Sequence, residues 1–323
     1  MEHKTVGIRS DHSAKDDYAL EREIFKDDDI EIAGVSTSDD DEFAMKRRRF
    51  NAFIHTHTAV SGEVLDDMPD CGIICQHGQG VDTIDVEAAT KRGVRVTNVQ
   101  GFNVDEVSDH ALAFAMALGK NIPYYNAAVK EEGVYHARSC EPNVKLAEMN
   151  LGLLGFGRVS RRLARKAKVI FGSVSAYDVL MDDAAAREIG VRTAPDLDTL
   201  IREADILSIH LPLTGETRNL IDAGKLAMMK PSAYLVNCAR GAIVDNQALS
   251  DALDNGVILG AAVDVVEPEP PGREGNPLIR NKRCVVTPHV AWYSKSAIKR
   301  MRTDAAQSAL AYLRGETPQW LIN

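Results

Sequence analysis

The chain has 323 residues, enough for two domains, and with 45% hydrophobic and 26% charged residues it has the composition of an ordinary globular protein. A net charge of −9 argues against a nucleic-acid or anionic-membrane surface, either of which needs clustered positive charge. The five cysteines (Cys71, Cys75, Cys140, Cys238, Cys284) are odd in number and form no Cys-x-x-Cys pair, so they suggest neither a disulfide framework nor a metal site and fit a reduced, cytoplasmic setting.

In chain order, the opening "MEHKTVGIRSDHS" carries no apolar signal core, and no run approaches the roughly 18 apolar residues of a membrane span. Strands are predicted at "TVGIR", "IEIAGV", "AFIHT", "GIICQ" and "VRVTN" in the first hundred residues. The basic run Lys46–Arg49 and the acidic stretches Asp27–Asp29 and Asp39–Glu42 read as solvated faces. Residues 103–135 read as one long helical stretch, and its "HALAFAMALG" segment is apolar nearly all round, as expected of a helix buried between domains or subunits. A second strand series follows: "NLGLLG", "SVSAYD", "ADILSIH", "AYLVN", "ILGAAVD" and "CVVTP", with helices at Asp182–Ile189, Leu197–Glu203 and Asn246–Asn255. A periodic amphipathic helix closes the chain at Gly315, a suitable C-terminal cap, and is expected to pack back on the first domain. Apolar strands alternating with helices imply parallel sheets covered on both faces, and two such series imply two α/β domains.

The segment "NLGLLGFGRVSRRLARKA" runs strand, glycine turn, helix. Its core is Gly155-Phe156-Gly157-Arg158-Val159-Ser160, where Gly155 permits the tight turn and Gly157 lets the backbone approach a pyrophosphate at the helix N-terminus. Ser160 stands where a third glycine is usual. Asp178 ends the next strand 21 residues after Gly157, where a carboxylate accepts hydrogen bonds from the adenosine ribose and repels a 2′-phosphate. The expected cofactor is therefore NAD rather than NADP.

Three late strands each end in a polar group: Arg240 after "YLVNCA", Asp264 and Glu269 in "AAVDVVEPEPP", and His289 in "VVTPHVAWYS". Ligands of open α/β sheets bind beyond the carboxyl ends of the strands. A guanidinium grips the carboxylate and carbonyl of a 2-oxo acid, and an imidazole exchanges a proton near neutral pH. A carboxylate on the far ring nitrogen would fix the tautomer. Each residue also has a structural reading: a salt-bridge arginine, an aspartate capping a turn, an exposed loop glutamate, a core histidine.

The segments "GVDTIDVEAATKRGVRVTN", "GLLGFGRVSRR", "LSIHLPLTGETRNLI", "VNCARGAIVDNQAL", "GAAVDVVEPEPP" and "TPHVAWYS" together resemble the D-isomer-specific 2-hydroxyacid dehydrogenase family, in family order over most of residues 75–315. The resemblance implies a Rossmann NAD-binding domain (residues 101–290) inserted into a flavodoxin-like substrate domain (residues 1–100 and 291–323). It also implies a homodimer, consistent with the apolar 110–119 helix. It makes Arg240 the substrate-orienting arginine, His289 the acid/base and Glu269 its partner, with Glu267 as the alternative two residues earlier. Asp264 would hold the nicotinamide carboxamide. His210, Leu211, Pro212, Thr217, Cys238 and Ala239 would line the cofactor pocket, and the backbone amides of Gln79 and Gly80 would receive the substrate carboxylate. Gln76 stands where an arginine often lies, and Trp292 is a candidate wall of the substrate pocket.

The implied reaction interconverts a small-molecule 2-oxo acid and a D-2-hydroxy acid by hydride transfer. A glutamate at 269 argues against formate oxidation, for which the family uses a glutamine. The rival reading is an NADH-responsive corepressor-like binding scaffold, suggested by "HVAWYS".

Overall fold

The computed structural model describes residues 3–10, 17–139, 143–272 and 275–323; Cys140 and parts of the opening stretch read above lie outside them. The chain divides into two compact units, residues 1–102 with 294–323, and residues 103–293.

The first unit is built on strands β1 (Lys4–Arg9), β2 (Ile30–Gly34), β3 (Ala52–His55), β4 (Ile73–Gln76) and β5 (Arg95–Thr97). All pair in parallel, in the order β2-β1-β3-β4-β5, the doubly wound order of flavodoxin-like sheets. The central strands β3 and β4 are buried along their whole length, which is why they read as unbroken apolar runs. Phe53 sits between Phe43 and Phe50, with ring centroids 5.2 and 5.7 Å away. The helix Lys295–Leu313 belongs to this unit; Ser294 caps its start by accepting from the Ala297 amide, and Gly315, at φ 77°, turns the chain out of it.

The charged runs lie at the surface as expected, with Asp27, Asp29, Asp39, Asp40, Asp41, Arg48 and Arg49 exposed, and some of them are paired: Arg9 donates to Asp40 at 2.6 Å, Arg47 pairs with Asp67, and Arg314 donates to Asp28 at 2.6 Å. One expectation needs correction here. The long helical stretch is two helices, Val104–Gly119 and Ile122–Glu131. The break is Asn121, held in the left-handed region at φ 52° while its side-chain carbonyl accepts from the buried Tyr234 hydroxyl at 2.9 Å. Nor is the first of these helices buried all round. Ala111, Phe114, Ala115 and Leu118 face its own unit's core, while Met116 is 37% exposed.

The second unit carries β6 (Asn150–Leu154), β7 (Ser173–Tyr177), β8 (Arg192–Thr193), β9 (Ile206–Ile209), β10 (Tyr234–Asn237), β11 (Gly260–Val263) and β12 (Cys284–Val286). Their order is β12-β11-β10-β9-β6-β7-β8, all parallel. The order reverses between β6 and β9, the switch point where dinucleotides bind in doubly wound sheets. The two-residue edge strand β8 is absent from the sequence reading. Successive residues feed opposite faces: Leu151 and Leu153 join one core cluster, Leu154, Leu207 and Ile209 the other. Aspartates cap the helices that cover those faces, as Asp182 does for Ala185, Asp196 for Thr199 and Asp245 for Ala248, each worth about 1 kcal/mol.

One buried group of the first unit gives a pH signature. His55 lies fully buried on β3, its ring stacked at 5.0 Å on Phe53, and burial lowers its pKa to about 3. An unfolded histidine takes up its proton near pH 6.5. Between these values the unfolded chain binds the extra proton, so stability falls as the pH drops from about 6.5 toward 3. The thermal midpoint should decline over the accessible part of that range, and His55→Phe should decline less steeply; parallel slopes for the two proteins would contradict the assignment.

Candidate active site

The carboxyl end of β6 opens into the glycine turn. Gly155 has φ 93°, and a Cβ there would lie 2.7 Å from the carbonyl oxygen of His210, so only glycine fits. Gly157 has extended backbone (φ −77°, ψ −164°) and nothing within 4 Å of where its Cβ would stand. It precedes the helix Arg158–Ala167, whose first turn has no side-chain cap. Open space beside the turn, an uncapped helix N-terminus and the dipole of a ten-residue helix suit a pyrophosphate. Ser160 does more than replace a glycine: fully buried, it donates through its hydroxyl to the Gly155 carbonyl at 2.6 Å and closes the turn.

Asp178, at the end of β7, reaches back to the same turn. Its carboxylate accepts from the Phe156 amide at 2.7 Å and the Leu180 amide at 2.8 Å, which sets its orientation beside the glycines. Phe156 is buried, with the Arg161 guanidinium 5.3 Å from its ring centroid. Arg158 is exposed and Val159 half-buried on the first helical turn.

After β9 come His210, Leu211 and Pro212. Burial lowers the His210 pKa to about 4, so the ring is neutral at pH 7, and its Nε2 lies 2.8 Å from the Ser208 hydroxyl. Leu211 packs into the adjoining core cluster and Pro212 is exposed. Thr217 turns inward on its own loop, donating to the Pro212 carbonyl at 2.7 Å and accepting from the Thr214 amide. Its proton is thereby committed to the loop. After β10, Cys238 is buried, its thiol pushed well up by desolvation and by the nearby Asp264. The Ala239 amide donates to the Asn237 side chain at 3.0 Å.

Arg240, Asp264 and His289 leave the carboxyl ends of three consecutive strands, β10, β11 and β12, in matched register (Asn237 beside Val263, Val263 beside Val286). Arg240 is half-buried, one guanidinium nitrogen donating to the Ala239 carbonyl at 2.8 Å. Asp264 is 1% exposed. Its carboxylate accepts from the Thr287 hydroxyl at 2.5 Å and from the Val290 and Ala291 amides at 2.9 and 2.8 Å, while its carbonyl accepts from the His289 amide at 2.7 Å. The His289 backbone is held left-handed at φ 54°. The Nδ1 of its ring lies 2.5 Å from a Glu269 carboxylate oxygen, both side chains about one-third exposed. A carboxylate only accepts, so Nδ1 carries the hydrogen and Nε2 is left for chemistry. The core-histidine reading fails. Glu267, the alternative partner, pairs with Arg218 at 3.5 Å.

Several residues that shape this site carry no motif. Asn246, buried, donates to the Gly241 and Val244 carbonyls and accepts from the Glu267 amide and from the buried Asn276, which also donates to the Glu267 carbonyl. Gly241 lies so close to Val266 that a Cβ would sit 2.1 Å from its carbonyl oxygen. These contacts tie the segment after Arg240 to the loop that carries Glu269. Asn246 opens a helix that Asp245 caps, and Asn276 caps the next one, so each reads as a helix-start residue and their shared role is not visible in the letters.

In the first unit, Gln79 is exposed and Gly80 half-exposed on the loop after β4, anchored where Asn98 donates to the Gln79 carbonyl at 2.7 Å. Gln76 is buried and donates to the Thr56 carbonyl at 2.7 Å. Trp292 is half-buried in the second unit, edge-on to Tyr293 at 5.3 Å and against the core cluster that holds Leu151 and Phe114. Among the described residues no group of three or more His, Cys, Asp or Glu side chains is placed to hold a metal, and no helix is long and apolar enough to cross a membrane. Burial pushes the Cys71, Cys75 and Cys284 thiols up to about 12, far from reactive thiolates.

Residues 112–291 match the family model of the D-isomer specific 2-hydroxyacid dehydrogenase NAD binding domain. The chain is 37% identical over 270 residues to a glyoxylate reductase of Thermococcus litoralis, covering 82% of this chain and 80% of that protein. It is 35% identical over 290 residues to a D-3-phosphoglycerate dehydrogenase of Mycobacterium bovis, covering 90% of this chain; the alignment spans only about half (54%) of that relative's length. Among solved structures, a D-lactate dehydrogenase from Aquifex aeolicus complexed with NAD and lactic acid superposes with a TM-score of 0.85 at 25% identity, covering 96% of each chain.

The two glycines of the turn separate folding from binding. Gly155→Ala should lower the thermal midpoint and weaken NADH binding together, since it adds a backbone clash to roughly 1–2 kcal/mol of left-handed strain. Gly157→Ala should melt as wild type does, yet bind NADH at least tenfold more weakly, because its Cβ would fill the space a phosphate approaches. Fluorescence titration with NADH checks both, and wild-type affinity in Gly157→Ala would rule out close approach at that backbone.

Proposed function

The chain belongs to the D-isomer-specific 2-hydroxyacid dehydrogenase family and carries its NAD-binding domain, and from that premise we propose that it reduces a short 2-oxo acid to the D-2-hydroxy acid. The observation that carries this reading is the His289–Glu269 pair, on a loop pinned by Asp264 at the same carboxyl edge that bears the glycine turn. NADH, when bound, supplies the hydride for the carbonyl carbon. Arg240 orients the acid and polarises its carbonyl, as several guanidinium donors suit a carboxylate beside a carbonyl. His289 gives the Nε2 proton to the developing alkoxide, and Glu269 holds Nδ1 and offsets the ring's charge.

The remaining assignments rest on the same premise. The 103–293 unit takes the cofactor role and the 1–102 with 294–323 unit the substrate role, close to the division expected at residues 101 and 290. Gly155, Phe156, Gly157, Arg158 and Val159 face the pyrophosphate. Asp178, oriented by two backbone amides, receives the ribose hydroxyls and favours NAD over NADP. His210, Leu211, Pro212, Thr217, Cys238, Ala239 and Asp264 surround the nicotinamide half. In the first unit Gln79 and Gly80 offer backbone amides to the substrate carboxylate, and in the second Trp292 is a candidate wall of the substrate pocket. The exposed Met116, Ile122 and Val129 on the two helices that follow the first unit support a homodimer, and an odd number of cysteines without paired spacing suits a cytoplasmic setting.

For substrate class, the carboxyl edge of the five-stranded sheet favours an uncharged tail. Its described side chains include His55, Thr56, Gln76 and Asn98, and Arg9 there is already committed to Asp40 and to the Ser36 and Thr37 carbonyls. A phosphate tail would call for a guanidinium or ammonium partner.

Purified protein with NADH should therefore turn over glyoxylate, pyruvate or hydroxypyruvate faster than a phosphorylated 2-oxo acid, and faster than with NADPH. His289→Ala and Arg240→Ala should each lower kcat/KM by about two orders of magnitude or more without lowering the thermal midpoint. NADH binding with no turnover across the panel would replace the dehydrogenase reading with the scaffold one, and preference for the phosphorylated acid would overturn the tail assignment.

A further inference from the structure

We propose that His110 is a positioning residue for the acid/base histidine, acting through Thr287 and Asp264 as a directed hydrogen-bond chain; this rests on the dehydrogenase reading above. His110 stands on the helix Val104–Gly119, 177 positions before Thr287, with its Nε2 3.1 Å from the Thr287 hydroxyl oxygen. The ring is set edge-on to Phe114 at 4.4 Å, one helical turn away, and its side chain is 23% exposed.

The direction of the chain follows from donor and acceptor capacity. A threonine hydroxyl has one hydrogen, and Thr287 gives it to the Asp264 carboxylate at 2.5 Å, a group that accepts amide hydrogen bonds on both oxygens. The Thr287 oxygen must then accept from His110, so the imidazole carries its hydrogen on Nε2. The chain runs His110 to Thr287 to Asp264. It ends on the carboxylate whose other bonds hold the Val290 and Ala291 amides, and whose residue holds the His289 amide through its carbonyl. His110 lies 3.8 Å from the Asp264 oxygen itself, so its effect passes through the hydroxyl rather than by direct contact. Removing the donor frees the Thr287 hydroxyl to rotate away from Asp264. The carboxylate then loses one of the three bonds that fix the turn carrying His289 into its left-handed conformation.

Small displacements of a reacting group cost rate more than binding. His110→Ala should lower kcat about tenfold or more, with NADH affinity and substrate KM little changed. His110→Gln, whose amide also donates, should recover most of the loss. Thr287→Val should reproduce the loss of His110→Ala, and the double variant should be no worse than either single one. In the folded wild-type protein, 15N-detected NMR should find the His110 hydrogen on Nε2. An unchanged kcat in both His110→Ala and Thr287→Val, a failure of Gln to rescue, additive losses in the double variant, or a bare Nε2 would each overturn the proposal. If His110→Ala fails to fold, Thr287→Val and the NMR measurement decide. If wild type turns over no 2-oxo acid, the dehydrogenase reading falls by itself, and the NMR measurement alone decides whether the chain of hydrogen bonds exists.

Discussion

A single buried carboxylate organises the chemical end of this protein. Asp264 ends strand β11 almost without exposure, and an unpaired charge there would cost several kcal/mol. The loop after β12 supplies what it lacks: the Thr287 hydroxyl and the amides of Val290 and Ala291. In return the loop is drawn around the carboxylate tightly enough that His289 adopts a left-handed backbone, which costs a non-glycine residue about 1–2 kcal/mol. That conformation presents the ring to Glu269. The pairing of His289 with Glu269 is thus a consequence of where a charge is buried.

The cofactor end follows a different logic, in which backbone matters more than side chains. Gly155 is required because the His210 carbonyl leaves no room for a Cβ, and Gly157 stands free because a ligand needs the space. Ser160 and Asp178 then lock the turn from opposite sides, one through the Gly155 carbonyl and the other through the Phe156 amide. A preformed turn of this kind loses little entropy when it binds.

Much of this was legible in the letters because its physical cause is local. Strands buried on both faces leave unbroken apolar runs, and the glycine turn, Asp178, Arg240, Glu269 and His289 sit at strand ends where their residue types stand out. What the letters hid depends on distant partners. The break at Asn121 needs the Tyr234 hydroxyl, 113 positions away, and local pattern alone reads through it. Which glutamate meets His289 is set by the path of the loop after β11, which brings Glu269 to the ring while Glu267 lies beside Arg218. The organising role of Asp264 comes from donors 23 to 27 residues later, and His110 looks like the last of a polar first half on its helix until Thr287 is seen beside it. The charged runs are exposed as their letters suggest, but the partners of Arg47 and Asp28 lie elsewhere in the chain and are not legible locally.

The most direct test of the central claim is the far-downfield proton resonance of the His289 ring, bonded through Nδ1 to Glu269, compared between wild type and Asp264→Asn. The asparagine keeps the shape but offers one acceptor oxygen to a loop that supplies three donors. Loss or marked upfield movement of the resonance in the folded variant is the expected result. A resonance that stays in place with Asp264 neutralised would show that the histidine finds its carboxylate without the buried charge, and would contradict the account.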